Sequence, residues 1–182
     1  MDYQALEEHI KDSVMEEQAK LGFRKEVIRL YYPVGMLNNL FGTACDAEEI
    51  ENIYEWVWAL AGFTDFAKER LGEVTITHKK DRFCLLLPEE TSIYVHEHKK
   101  ENEFIHQLVN LIASHETDME QVKKLFEQQP FPSVVEQTTG GEFDTVIHFT
   151  QGDDRYYYCF KDEGFHITYH RFLPADYKDL GV

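Results

Sequence analysis

The sequence predicts an α+β fold in a single domain, with an antiparallel β-sheet of about five to six strands packed against several helices. Hydrophobic residues recur at helical spacing in some segments and alternate with polar residues in others, and the two kinds of segment are separated along the chain. The 182 residues are near the usual size of one domain, and no repeat or long linker interrupts them. We therefore treat residues 1–182 as one domain, with the proline-flanked break at 129–133 as the one candidate boundary.

The N-terminal part is predicted to be mainly helical. Apolar residues spaced three and four apart indicate an amphipathic helix over residues 3–21, which ends at Gly22. Residues 27–32 form a short strand or an extended link, because the proline that follows disfavours helical backbone before it. A short helix over residues 36–41 comes next.

The central part changes from helical to strand-like periodicity. A long helix opens at Asp46, where Glu49 completes a capping pattern, and a shorter helix covers 64–71. Strict alternation around a polar turn then predicts a β-hairpin over 74–88. Residues 92–98 are predicted to form a third strand.

The C-terminal part returns to helix and then to strand. Residues 104–115 have helical spacing, and Thr117 with Glu120 predicts a capping box that opens another helix. Two prolines end this helix. Residues 134–171 are predicted to form a three-stranded meander, because β-rich segments lie between three turn signals, which are Thr139-Gly140-Gly141, Gly152-Asp153-Asp154 and Asp162-Glu163-Gly164.

Two histidines and a tyrosine of this meander form a candidate ligand-binding cluster. A four-residue loop between Thr150 and Arg155 places His148 opposite Tyr157, and a two-residue loop at Glu163-Gly164 places Tyr157 opposite His170. The three side chains then line one face of the sheet. A three-residue loop with a glycine bulge would instead shift the last strand by one residue and separate them.

The preferred register also collects the apolar side chains of the meander on the opposite, core-facing side. These residues are Ile147, Phe149, Tyr156, Tyr158, Phe160, Phe165, Ile167 and Tyr169. The histidine face could be a ligand pocket, a metal site that lacks a carboxylate, or a cross-strand ladder. A ladder stabilises a sheet by ~0.2–1 kcal/mol per pair without any function.

A second candidate site consists of His96, His98 and Glu103, as metal ligands. Residues two apart on a strand project from the same face, and His-x-His with a downstream Glu resembles the spacing of cupin-type metal sites. The alternative is a pair of exposed histidines ahead of the solvated pair Lys99-Lys100.

The charge of the chain restricts its partners. It has 34 Asp and Glu against 18 Lys and Arg, a net charge of −16 at pH 7, together with 13 Phe, 10 Tyr and 2 Trp. So many aromatic residues indicate a folded acidic protein. A field of this sign repels phosphate backbones and anionic lipid headgroups, which argues against direct nucleic-acid binding and membrane association. A local basic stretch at Lys20–Arg29 is the exception.

The cysteines and the N-terminus predict a cytoplasmic protein. Cys45, Cys84 and Cys159 are an odd number without CxxC spacing, which argues against a disulfide framework or a zinc ribbon. The acidic start lacks the features of a signal peptide, and the longest apolar run is far shorter than the ~20 residues of a membrane helix.

One stretch carries a family resemblance. Residues 21–33 read Leu-Gly-Phe-Arg-Lys-Glu-Val-Ile-Arg-Leu-Tyr-Tyr-Pro and follow an acidic first helix. This opening, over about residues 1–60, resembles an uncharacterised bacterial family of unknown function from clostridia-like gut bacteria. The resemblance implies a cytoplasmic bacterial protein and implies no activity or functional residue.

Two functional hypotheses follow from the sequence. The first is a non-enzymatic binding or regulatory domain whose acidic surface contacts a basic protein, and the absence of catalytic motifs favours it. The alternative is a small metal- or ligand-dependent enzyme built on one of the two histidine clusters.

Overall fold

The computed structural model confirms the α+β class and contains helices together with two antiparallel sheets. It describes residues 2–44, 50–100, 102–114, 116–139 and 141–181, with the side chains of residues 50–53 left out. Several sequence predictions lie outside the described residues: the cap formed by Asp46 and Glu49, and the positions Cys45, His115 and Gly140. The chain divides into two compact units, Met1–Glu101 and Asn102–Val182. The division follows residue 101 and not the break at 129–133.

The described residues of the first unit form four helices and a three-stranded sheet. In chain order these are α1 (Tyr3–Leu21), β1 (Ile28–Pro33), α2 (Val34–Phe41), α3 (Ile50–Leu71), β2 (Thr75–Lys79), β3 (Arg82–Leu87) and α4 (Glu89–His98). The strands lie in the order β1-β3-β2, and both pairs are antiparallel. The predicted first helix and hairpin are therefore confirmed, whereas the predicted 64–71 helix is the continuation of α3.

The core of the first unit is built by its helices together with one face of β3. Leu6, Ile10 and Val14 of α1 are fully buried, as their helical spacing predicts. Alternate residues of β3 are also buried, since a strand with one covered face buries every second side chain. The largest fully buried side chains of this unit are Trp56, Tyr32, Phe63, Phe83, Leu6, Ile10, Leu37, Leu60 and Leu71.

The prediction of a strand over residues 92–98 is wrong, because these residues belong to helix α4. Pro88 precedes the helix, and Glu89 and Glu90 occupy its first turn, where carboxylates interact favourably with the helix dipole. Thr91 and Ser92 are buried and donate hydrogen bonds to the carbonyl oxygens of Leu71 (2.5 Å) and Arg24 (2.6 Å) respectively. Both hydroxyl side chains thus face the protein interior, whereas His96 and His98 at the end of the helix are exposed.

In the second unit, the residues that the structure describes form three helices and a four-stranded sheet. Its elements are α5 (Glu103–Ala113), α6 (Met119–Glu127), β4 (Ser133–Gln137), β5 (Thr145–Phe149), β6 (Tyr157–Asp162), β7 (Ile167–Phe172) and α7 (Pro174–Asp179). The strands follow one another in the order β4-β5-β6-β7, so the meander has four strands and not three. The capping box of α6 is formed by Asp118 and Gln121, one residue later than predicted.

The main core of the second unit lies on one face of its sheet. Phe104 of α5 and Phe126 of α6 make edge contacts with Tyr158 at ring-centroid distances of 5.6 and 5.2 Å. Phe149 joins the same cluster. The predicted core-facing side is correct for the residues within the strands, but Phe165 is wrong, since it lies in a turn and is 71% exposed.

No helix in the described part of the chain combines the length and hydrophobicity needed to cross a membrane.

Candidate functional site

The candidate site lies on the other face of the four-stranded sheet, which helix α7 partly covers. We call this surface the α7 face. Strand alternation places on it the side chains of Val134, Glu136, Val146, His148, Tyr157, Cys159, His170 and Phe172. Pro174 starts α7 directly after β7, and Tyr177 of α7 packs onto the sheet with Phe143, Val146 and Cys159.

Three aromatic rings are stacked on the α7 face. His148 is the strand partner of Tyr157, as predicted, and their ring centroids are 4.2 Å apart with an interplanar angle of 20°. Tyr177 lies 4.8 Å from Tyr157 at 21°. Two of the predicted ligand-binding residues are therefore in direct contact, and the third ring of the stack comes from α7.

The predicted pairing of Tyr157 with His170 is wrong, since Tyr157 pairs with Phe172 and His170 pairs with Cys159. The backbone N–H of Glu163 donates to the carbonyl oxygen of His166 at 3.0 Å, so the tight turn is Gly164-Phe165, one residue later than predicted. Gly164 has φ +81°, which a glycine adopts without strain.

That one-residue displacement of the turn changes the pairing by two residues. A shift of two leaves every side chain on its original face, whereas a shift of one would reverse them all. His170 therefore stays on the α7 face but is exposed, and its ring packs against Phe143 at 5.8 Å and Phe172 at 6.2 Å. The three predicted residues share a face, and two of them are in contact.

A carboxylate lies beside the stack. The Glu136 Oε1 atom is 3.9 Å from Nε2 of His148, which makes an ion pair when the imidazole is protonated. The other ring nitrogen, Nδ1, lies 3.3 Å from the carbonyl oxygen of Phe149. Glu136 thus connects the aromatic stack to the end of β4.

An open groove of about 610 Å³ begins at this carboxylate. It combines carboxylates with aromatic rings, hydroxyls and an amide, and none of its described lining residues is basic. The lining residues are Glu136, Gln137, Thr138, Thr139, Gly141, Glu142, Phe143, Tyr177, Leu180 and Gly181. Such a surface favours a ligand with positive charge and some apolar area.

Two titratable groups at the groove, Tyr177 and Cys159, are held in their neutral forms. Burial raises the pKa of Tyr177, and the nearby Cys159, Glu136 and Tyr157 raise it further. Burial also raises the pKa of the Cys159 thiol to about 12. Cys159 is therefore a poor nucleophile at neutral pH, and it acts as a small apolar residue under α7.

The model of one protein family matches residues 3–181, and that family is described as "Domain of unknown function, E. rectale Gene description (DUF3877)". The chain belongs to the DUF3877 family. This confirms the resemblance to a clostridia-like family of unknown function and extends it from the first third of the chain to almost all of it. No curated protein and no solved structure matches the chain.

The structure of this DUF3877 protein places the two histidines of the predicted metal site on a helix and not on a strand. His96 and His98 lie on helix α4, where residues two apart point about 200° from each other. His96 stacks on Phe23 at 4.0 Å, and His98 stacks on Tyr94 at 4.3 Å. The prediction assumed that His96 and His98 share one face of a strand. On helix α4 they point in nearly opposite directions.

Glu103 belongs to the second unit and begins α5, where its side chain accepts a hydrogen bond from Gln107 at 3.1 Å. Among the residues whose positions the structure describes, no group of three or more His, Cys, Asp or Glu side chains is arranged to hold a metal ion.

Sequence reasoning missed most of the groove. Glu136 and Glu142 were two of many acidic residues, and Phe143 and Tyr177 belong to no motif. The available signal for α7 was Pro174, which follows a strand and precedes residues that can form a helix. Proline is favoured in the first turn of a helix.

Proposed function

We propose that this protein is a non-enzymatic binding or regulatory domain of the bacterial cytoplasm that contacts a basic protein through its acidic surface. The observation that supports this most strongly is the groove on the α7 face. It presents the carboxylates of Glu136 and Glu142 beside the rings of Phe143 and Tyr177, without a basic side chain among its described lining residues.

This combination suits lysine and arginine side chains. A carboxylate pairs with their charged ends, while an aromatic ring packs against the methylene stem or the cation itself. The net charge of −16 adds a long-range attraction that raises the rate of encounter with a basic partner. The free thiols of Cys84 and Cys159 support a reducing compartment.

A calorimetric titration with a basic probe tests the proposal. The probe is an end-capped octapeptide of alternating lysine and valine, added at low salt. We expect the double variant Glu136→Gln/Glu142→Gln to bind it about tenfold more weakly than the wild type, because two ion pairs of ~0.7 kcal/mol each are lost.

The matched control is Glu120→Gln/Glu127→Gln on α6, whose Phe126 packs on the opposite face of the sheet. It changes the net charge equally and should bind the peptide as the wild type does. Equal weakening by both double variants would contradict a binding site in the groove, and no binding by the wild type would contradict the function.

The alternative, a small metal- or ligand-dependent enzyme that uses the histidine-bearing sheet face, stays a prediction. Thermal stabilisation of the protein by added Zn, Mn or Ni, abolished by alanine at His148, would support that alternative.

A further inference from the structure

The geometry points to strand β4 as a docking edge, on which an extended basic segment of the partner adds as a further antiparallel strand. This inference rests on the proposed function and specifies how the partner is held. Five residues, Ser133–Gln137, form the edge. In the described sheet β4 is the terminal strand, with β5 on one side only.

The hydrogen-bond pattern shows which backbone groups point outwards. The backbone N–H of Thr138 donates to the carbonyl oxygen of Asp144 at 3.0 Å, and the backbone N–H of Thr150 donates to the carbonyl oxygen of Pro132 at 2.9 Å. Hydrogen-bonded pairs alternate in an antiparallel ladder, so Val134 and Glu136 also direct their backbone groups towards β5. The N–H and C=O groups of Ser133, Val135 and Gln137 consequently point away from the sheet.

Strand β4 has little of the usual protection of an edge, since the five residues Ser133–Gln137 contain one charge and no proline. Natural edge strands are guarded by charges, prolines or bulges that prevent pairing with another chain. Here Val134 and Val135 are 37% and 40% exposed, and Glu136 is the only charged residue of the strand. The edge therefore offers a polar ladder together with apolar side chains on both faces.

The charge identifies the occupant as a basic segment. In an added antiparallel strand, Glu136 would occupy a non-hydrogen-bonded pair, where facing Cα atoms approach to about 4.5 Å. A lysine or arginine there would pair with the carboxylate and lie beside the groove. A second copy of this chain would instead bring another net charge of −16 to the same edge, which opposes self-pairing.

Amide hydrogen exchange of the wild-type protein tests strand addition. The probe is the end-capped Lys–Val octapeptide at low salt, at ten times its measured Kd. We expect the amides of Val135 and Gln137 to exchange about tenfold more slowly, because exchange then requires the peptide to dissociate. The amides on the opposite edge, β7, should be unchanged.

Two matched pairs of molecules sharpen the test. An octapeptide N-methylated at every residue keeps its charge but has no backbone donors, and it should lose at least about tenfold in affinity. In the protein, Val135→Pro removes an N–H that points outwards, and edge strands tolerate a proline at such a position. This variant should also bind the unmethylated octapeptide about tenfold more weakly. Val135→Thr retains that N–H and should bind as the wild type does.

The outcomes separate this inference from the proposed function. Equal binding of both peptides without protection of Val135 and Gln137 would overturn strand addition and leave the acidic binding surface standing. No binding of either peptide at low salt would overturn both. Peptide-independent dimerisation that protects the same amides would show that a second copy occupies the edge and would overturn the basic segment as its occupant.

Discussion

At the scale of single residues, the carboxylate of Glu7 is a buried charge of the first unit that is paired with two basic side chains. Its side chain is only 5% exposed, and both of its oxygens accept hydrogen bonds from Arg70 at 2.7 Å. Lys11 lies 2.6 Å from the same carboxylate. Burial alone would raise the pKa of Glu7, but the hydrogen bonds from Arg70 and Lys11 outweigh burial and hold the pKa below its ordinary value of 4.5.

Glu7→Gln is expected to lower the free energy of unfolding by ~3 kcal/mol at pH 7, since it leaves Arg70 without its buried partner and Lys11 with only the half-exposed Glu8. Urea denaturation followed by circular dichroism measures the change. Glu8→Gln is the matched control, because Glu8 pairs with Lys11 at 3.0 Å from a side chain that is 45% exposed. Glu8→Gln should lower the free energy of unfolding by under ~1 kcal/mol. An equal loss of stability in the two variants would contradict the role assigned to the buried carboxylate.

The same carboxylate predicts a pH dependence. The pKa of Glu7 is lower in the folded state than in the unfolded state. Its contribution to the free energy of unfolding is therefore fully present above the unfolded-state pKa and is lost as the pH falls through the folded-state pKa. The stability difference between wild type and Glu7→Gln should therefore shrink as the pH falls below ~4.5. A difference that stays constant from pH 7 to acid would show that the charge of Glu7 is not the cause.

At the scale of secondary-structure elements, helix α7 covers part of the sheet through one side chain. Tyr177 is buried and contacts both the ring of Tyr157 and the cluster that contains Cys159. The helix is only six residues long, so its position depends on packing and not on intrinsic helix stability. Tyr177 therefore contributes, together with Phe143, to the cluster that keeps Cys159 out of solvent.

Tyr177→Ala is expected to destabilise the protein by ~3 kcal/mol and to expose Cys159 to thiol reagents. In the wild type a pKa of about 12 and full burial keep this thiol unreactive at pH 8. Mass spectrometry after iodoacetamide treatment measures labelling, with the partly buried Cys84 as internal reference. Tyr177→Phe keeps the ring and should leave Cys159 unlabelled; fast labelling of Cys159 in the wild type would contradict the role of α7.

Elements whose local signals agree with their packing were predictable from the sequence. Helix α1 follows from its periodicity, because one face of it is buried. The hairpin follows from the polar turn between β2 and β3, and β3 has one buried face. Helix α4 was not predictable from alternation, since its buried Thr91 and Ser92 are polar and are satisfied by distant carbonyl groups. The pairing of His148 with Tyr157 was predictable from the length of the loop between their strands. The position of the final turn was not, because a two-residue turn at Glu163-Gly164 and one at Gly164-Phe165 fit the sequence equally well.

At the scale of the whole molecule, the candidate site combines segments that are far apart in sequence. Residues 136–139 and 141–143 line the groove together with Tyr177, Leu180 and Gly181. None of these segments contains a motif, so only the folded sheet and α7 bring Glu136 close to Tyr177 and His148. Net charge, in contrast, is readable directly from the sequence, and it predicts the kind of partner without locating the surface that binds it.

The salt dependence of binding tests the central claim, that this acidic domain recognises a basic polypeptide, most directly. Titration of the capped Lys–Val octapeptide at about 20 mM and about 300 mM NaCl should show an affinity that falls at least about tenfold, because salt screens exposed charges. A lysine-to-glutamate version of the peptide should not bind at either salt concentration. Salt-independent binding, or equal binding of both peptides, would contradict the claim.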